Sequence, residues 1–136
     1  MDDQNLLQPV LAMVVLHAAV ALWMLTTRMM AMRQVGMSLE QGKHTVDMQQ
    51  LPNPARQVAD NYNHLFEVPT LFYALVFYIW AMGHADLIHV ACAWCFFGSR
   101  VLHSIVQGTF NLVAVRFPIF AVGWAMIATM TVRELF

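Results

Sequence analysis

Apolar residues gather in four runs, at residues 10–27, 65–82, 87–106 and 112–132, with a long, more polar stretch after the first and short ones after the second and third. Each run is too long and too apolar for a strand. A hydrocarbon core of ~30 Å takes about 20 helical residues to cross, so the pattern predicts an all-α, four-span bundle forming one domain over residues 1–136. The polar stretch at about residues 34–53 holds Gly36, Gly42 and Pro52 but also Met37, Leu39, Val46, Met48 and Leu51. It is therefore expected to pack on the membrane face. Asn53-Pro54 reads as an N-cap followed by proline at the first helical position, where the missing N–H costs nothing. Helix two should thus begin near Pro54, about 16 Å before its apolar run at helical rise.

Gly83 closes helix two and Asp86 caps helix three, while Gly108 and Asn111 play the same parts between helices three and four. Turns this short make consecutive helices antiparallel neighbours. Pro69 falls inside helix two, where it should bend the helix and free the carbonyl of Leu65.

Composition agrees with the pattern. Hydrophobic residues make up 60% of the chain and Asp, Glu, Lys and Arg only 11%, too few for the polar skin of a small soluble domain. The start, Met1-Asp2-Asp3, lacks the basic n-region of a secretory signal, so the first run reads as a retained helix. Arg28, Arg33, Lys43 and Arg56 bracket the stretch between helices one and two, and Arg116 follows the last turn. By the excess of Lys and Arg in cytoplasmic loops, both termini are expected on the non-cytosolic side. The net charge of −1 and the lack of a basic cluster with interleaved aromatics give no case for nucleic acid. Cys92 and Cys95 lie at lipid depth and read as inert packing, unlike a redox pair at a helix start. His84 and His89 gather no metal-binding set around them. His17, at mid-depth in helix one, reads first as a neutral imidazole bonded to a neighbouring helix, with a ligand contact as the alternative.

The candidate chemistry lies in two polar stripes. At 100° per residue, Asp60, Asn63, His64 and Glu67 share an arc of about 100° on helix two, and Arg100, His103, Ser104 and Gln107 a similar arc on helix three. Helix two starts, and helix three ends, on the cytosolic side, so the stripes should meet at one depth, joined by Arg116. A charge within the apolar run costs a few kcal/mol unless paired, which leads to an expected Glu67–Arg100 ion pair. The residues alone leave open a purely structural pin, a lipid-binding cleft or an enzyme site.

The run Asn63-His64-Leu65-Phe66-Glu67-Val68-Pro69, then Arg100-x-x-His103, Asn111 and Arg116, resembles the second to fourth helices of the MAPEG superfamily, the membrane-associated proteins in eicosanoid and glutathione metabolism. The Phe-Glu-x-Pro form is most similar to that of bacterial members, which implies a bacterial inner-membrane protein. The resemblance implies a homotrimer with glutathione held between subunits and its sulfur presented to a lipophilic small molecule or peroxide from the lipids. In that frame Arg116 is the catalytic thiolate stabiliser. Asn63, with Glu67 or Asp60, holds the peptide and its amine; Arg100 and His103 give supporting contacts, and His64 and Gln107 complete the set. A non-catalytic lipid-binding or accessory protein using the same cleft is the alternative. The chain departs from glutathione-using relatives in having Gln107 where a tyrosine is usual, Asp60 and Tyr62 where cations or histidine are usual, and Phe117 after Arg116.

Overall fold

The computed structural model describes residues 3–136, so Met1 and Asp2 of the acidic start lie outside the described residues. A short 3-10 turn, Asp3–Leu6, leads into α1 (Gln8–Gln34). After another 3-10 turn, Leu39–Gly42, come the single-turn α2 (Thr45–Met48), α3 (Asn53–His64), α4 (Val68–Met82), α5 (Leu87–Gly108) and α6 (Val113–Leu135). No strand occurs among the described residues. Helix α1, the α3–α4 pair, α5 and α6 are each long and apolar enough to cross a membrane.

The core is a seam of apolar side chains running through the bundle, including Met13 of α1, Phe72 and Val76 of α4, Phe96 of α5 and Met130 of α6, all fully buried. Phe72 and Phe96 stack with ring centroids 4.3 Å apart, which sets α4 against α5. Many large apolar side chains face outward, Leu11, Leu22, Leu87 and Phe117 among them. Such a surface is stable only against lipid or another apolar protein face.

The stretch between α1 and α3 folds back. Met48 and Leu51 pack with Ala31 and Met32 of α1 and Ala55 of α3 in a second small core, while Leu39 and Val46 stay exposed. It is thus anchored on the helix ends by its own side chains, and only part of its apolar surface is left to face outward.

Proline 69 does more than bend helix two. Residues 65–67 leave the helix altogether, and Pro69 lies in the first turn of the new helix α4, where its missing N–H is harmless. The freed Leu65 carbonyl is 2.6 Å from His17 Nε2 of α1. The other ring nitrogen, Nδ1, lies 2.7 Å from the Met13 carbonyl, one turn back. His17 therefore ties α1 to the break between α3 and α4, as the reading of a helix-bonded imidazole expects.

At the far turn, Gly83 takes φ 71° at the end of α4, a left-handed conformation that glycine adopts freely. Asp86 caps α5 by accepting the His89 N–H at 2.8 Å. At the near turn, Trp23 of α1 occupies the space where any Cβ on Gly108 would project, so α1 and α5 approach closely there. Asn111 does not cap α6. The N-cap is Leu112, with no side-chain hydrogen bond, and the Asn111 amide is used elsewhere.

Candidate functional site

The break at residues 65–67 decides which polar side chains meet. Helix α3 ends at His64, so the 100° phase that links Asp60, Asn63 and His64 does not continue to Glu67. Glu67 is exposed, and its carboxylate pairs with His64 Nδ1 at 2.9 Å. Arg100 lies on α5, 4% exposed. Its Nε donates to Ser99 Oγ at 3.3 Å and Nη2 to the Phe120 carbonyl at 3.4 Å. The guanidinium carbon sits 5.3 Å from the Phe96 ring centre and 5.4 Å from that of Phe120, a cation–π arrangement. The expected Glu67–Arg100 pair is therefore absent, and among the described residues no carboxylate pairs with Arg100. Gly123 of α6 makes the slot possible, because a Cβ there would lie 2.5 Å from Arg100 Nη2.

Three of the expected residues do converge. His64 of α3, His103 of α5 and Arg116 of α6 line a cavity of about 170 Å³ together with Val113, Phe117 and Phe120. The two imidazoles meet edge to face, with ring centres 6.3 Å apart. No acidic residue lines this cavity. Phe117 and Val113 are well exposed on the bundle's outer face, so the cavity wall continues into the apolar outer surface. The half-buried Arg116 donates from Nη1 to Asn111 Oδ1 at 2.7 Å.

A second, polar groove of about 610 Å³ runs beside α3. Asp60 and Asn63 line it, with Arg28 from the end of α1, Arg56 of α3, Asn111, and residues of the intervening stretch such as Thr45 and Gln49. The two spaces adjoin along the chain. Asn63 lines the groove and His64 the cavity; Asn111 lines the groove and is bonded to Arg116 of the cavity. Arg28 and Arg56 carried only topological meaning in the sequence, although their charge beside the polar stripe of α3 was the signal for the groove.

Gln107, Ser104 and Asn61 line neither space. They are buried at the same end of the bundle, and the Gln107 Oε1, the Ser104 Oγ and both amide atoms of Asn61 have no hydrogen-bond partner within the chain. Asn61 was not among the expected residues because the stripe was drawn through Asp60 and Asn63 instead.

The opposite end holds another polar knot. His84 Nδ1 lies 2.8 Å from Glu134 Oε2, and Arg133 pairs with Asp86. The buried His89 ring sits between two carboxylates, Nδ1 3.0 Å from Asp86 and Nε2 3.5 Å from Glu134, without hydrogen-bond alignment to either. The angles count for more here than the distances, so these are electrostatic contacts. Among the described residues no group of three or more His, Cys, Asp or Glu side chains is set to hold a metal ion. Cys92 is buried and Cys95 exposed on α5, both as free thiols.

The model of the MAPEG family matches residues 6–136. No curated protein and no solved structure matches.

Proposed function

Since this chain belongs to the MAPEG family, and so is an integral membrane protein, we propose that it is a glutathione-dependent transferase or peroxidase acting on lipophilic substrates. One observation carries the reading: Arg116 lines an apolar cavity that no carboxylate enters, and that cavity adjoins a polar groove of suitable charge. The groove supplies two guanidinium groups and one carboxylate. Glutathione carries two carboxylates and one amine, so the match is charge for charge. Arg28 and Arg56 would take the carboxylates by charge-assisted hydrogen bonds. Asp60 would take the amine, and Asn63 the peptide groups. A space of this volume is within the usual range for small-molecule clefts.

Bound glutathione supplies a thiol that acts as nucleophile or reductant. The chain's part is electrostatic. A fixed guanidinium beside a thiol favours its ionised form, and an apolar wall weakens competing solvation. Phe117, Phe120 and Val113 form a side open to lipid, through which a hydrophobic partner arrives. Glu67 lies outside both spaces, so the amine falls to Asp60. Gln107 lines neither, so no side chain at that position donates to the sulfur.

In the same reading the protein is a homotrimer in the bacterial inner membrane, with neighbouring subunits completing the groove. Arg28, Arg33, Lys43, Arg56 and Arg116 face the cytosol, and both termini the other side. The test is a glutathione titration of the purified protein in detergent, followed by melting temperature. Ligand that binds only the folded state raises the midpoint as its concentration passes the dissociation constant. A midpoint unmoved by millimolar glutathione sinks the reading and its residue assignments. Retained acyl chains together with that indifference would mark a lipid-binding protein instead.

A further inference from the structure

We infer that Asn111 is a positioning residue, holding the Arg116 guanidinium in the cavity by a neutral tether that leaves its charge whole. This rests on the role proposed for Arg116.

Asn111 stands in the short connection between α5 and α6 at φ 48°, the one non-glycine residue at positive φ among the described residues. Asparagine is among the few side chains that tolerate this region. The backbone there is secured independently, since the Asn111 N–H donates to the Val106 carbonyl at 2.8 Å. The side chain is therefore free of the turn's own needs. It is also free of capping duty, because α6 starts from Leu112.

What the amide does instead is accept from Arg116 Nη1 at 2.7 Å. No other side-chain hydrogen bond of Arg116 occurs among the described residues, and no carboxylate pairs with it. A flexible arginine near a lipid-exposed surface otherwise extends towards water. An aspartate at position 111 would hold the guanidinium more firmly but cancel its field. An amide oxygen fixes one arm of the fork and leaves the charge available to an anion. The same amide lines the polar groove, so a ligand in the groove and the cation in the cavity share one fixed point.

The experiment uses the full chain in detergent, with glutathione as probe and two readouts besides turnover: melting temperature, and the ultraviolet thiolate absorbance of bound glutathione against pH. Asn111→Gly keeps the backbone conformation and removes only the tether. It should melt as the native protein does, while the bound thiol ionises about one pH unit higher, about a tenfold change, the order expected for one charged hydrogen bond. On an Arg116→Ala background the same change should do nothing more, because a residue acting through another has no effect once that other is gone. Asn111→Asp also tolerates the positive φ and should raise the thiol as well, by cancelling charge; it decides the matter if the glycine variant does not fold. An unchanged thiol profile in these variants, or effects that simply add to those of Arg116→Ala, overturns the role of Asn111 while leaving Arg116 in place. A native protein with no thiolate signal removes the reading of the site and this inference together.

Discussion

At the α4–α5 turn the chain matches its own charges: Asp86 with Arg133, Glu134 with His84, and His89 set between the two carboxylates. At the α5–α6 turn it does not. Arg100 and Arg116 have no carboxylate partner among the described residues, and Glu67, which does not line the cavity, is spent on His64, which does. Taking a cation out of water without a partner is costly. A polar cluster that closes on itself needs nothing further, and fastens two helix ends. One that leaves cations over, beside a lined space, has a use for an anion. The difference separates an end that is closed on itself from the end where the proposed site lies, although both hold histidine, arginine and a carboxylate.

The largest expected effect breaks this comparison at its open end. Arg116→Ala should lower glutathione conjugation of a generic electrophile by about 100- to 1,000-fold, the usual result of deleting one preorganised electrostatic stabiliser, with the melting temperature nearly kept. Arg133→Ala, at the closed end, should leave the same assay unchanged. Equal losses in the two variants would erase the distinction between the ends. Next in size is Arg100→Met. Replacing a buried, unmatched charge by an apolar side chain of similar length should raise stability by about 1–4 kcal/mol, read by denaturation in detergent. A fall instead would mean that the charge is compensated, by the Ser99, Phe96 and Phe120 contacts within the chain or by a carboxylate from outside the protomer.

Much of the fold was legible because the membrane imposes a coarse rule: four long apolar runs and short turns leave few arrangements. Even a fine detail came through. Pro69 must free the Leu65 carbonyl, His17 must find a partner, and the two meet at 2.6 Å. The site was less legible, for one physical reason. Assigning side chains to a face at 100° per residue holds only while the helix is continuous, and the break at residues 65–67 leaves Glu67 paired with His64 but outside the groove of Asp60 and Asn63 and away from Arg100. The ion pair drawn across the interface failed with it, and Gln107 turned inward to no cavity. His64, His103 and Arg116 came together because each lies on an unbroken helix or just past a turn. The closed end went unseen for another reason. The antiparallel bundle put the end of α6 on the side of the α4–α5 turn, but His84 and Glu134 are 50 residues apart, and nothing local to either shows that they pair.

The smallest effect tests that closed end by pH. Burial opposes ionisation of Asp86, but the His89 N–H, the neighbouring His89 ring and Arg133 outweigh it and hold the carboxyl below the usual carboxylate range. A carboxyl whose folded pKa is depressed adds stability that is fully present above its unfolded value, about 3.9, and is lost as pH falls through the lower folded value. The part that rests on the ionisation of Asp86 should therefore be constant near neutrality and weaken only below about pH 4. Because Asp86 and Arg133 are both a little over a third exposed, solvent screens the pair, and most of the stability at stake is the helix cap. Asp86→Asn retains a capping oxygen and should melt within a few degrees of the native protein at neutral pH, since asparagine caps about as well as aspartate. Asp86→Ala should cost about 1 kcal/mol. Both should flatten the acid limb of melting temperature against pH. A native acid limb surviving intact in Asp86→Asn would place the acid-sensitive contact elsewhere, and the Glu134–His84 pair is then the one to alter.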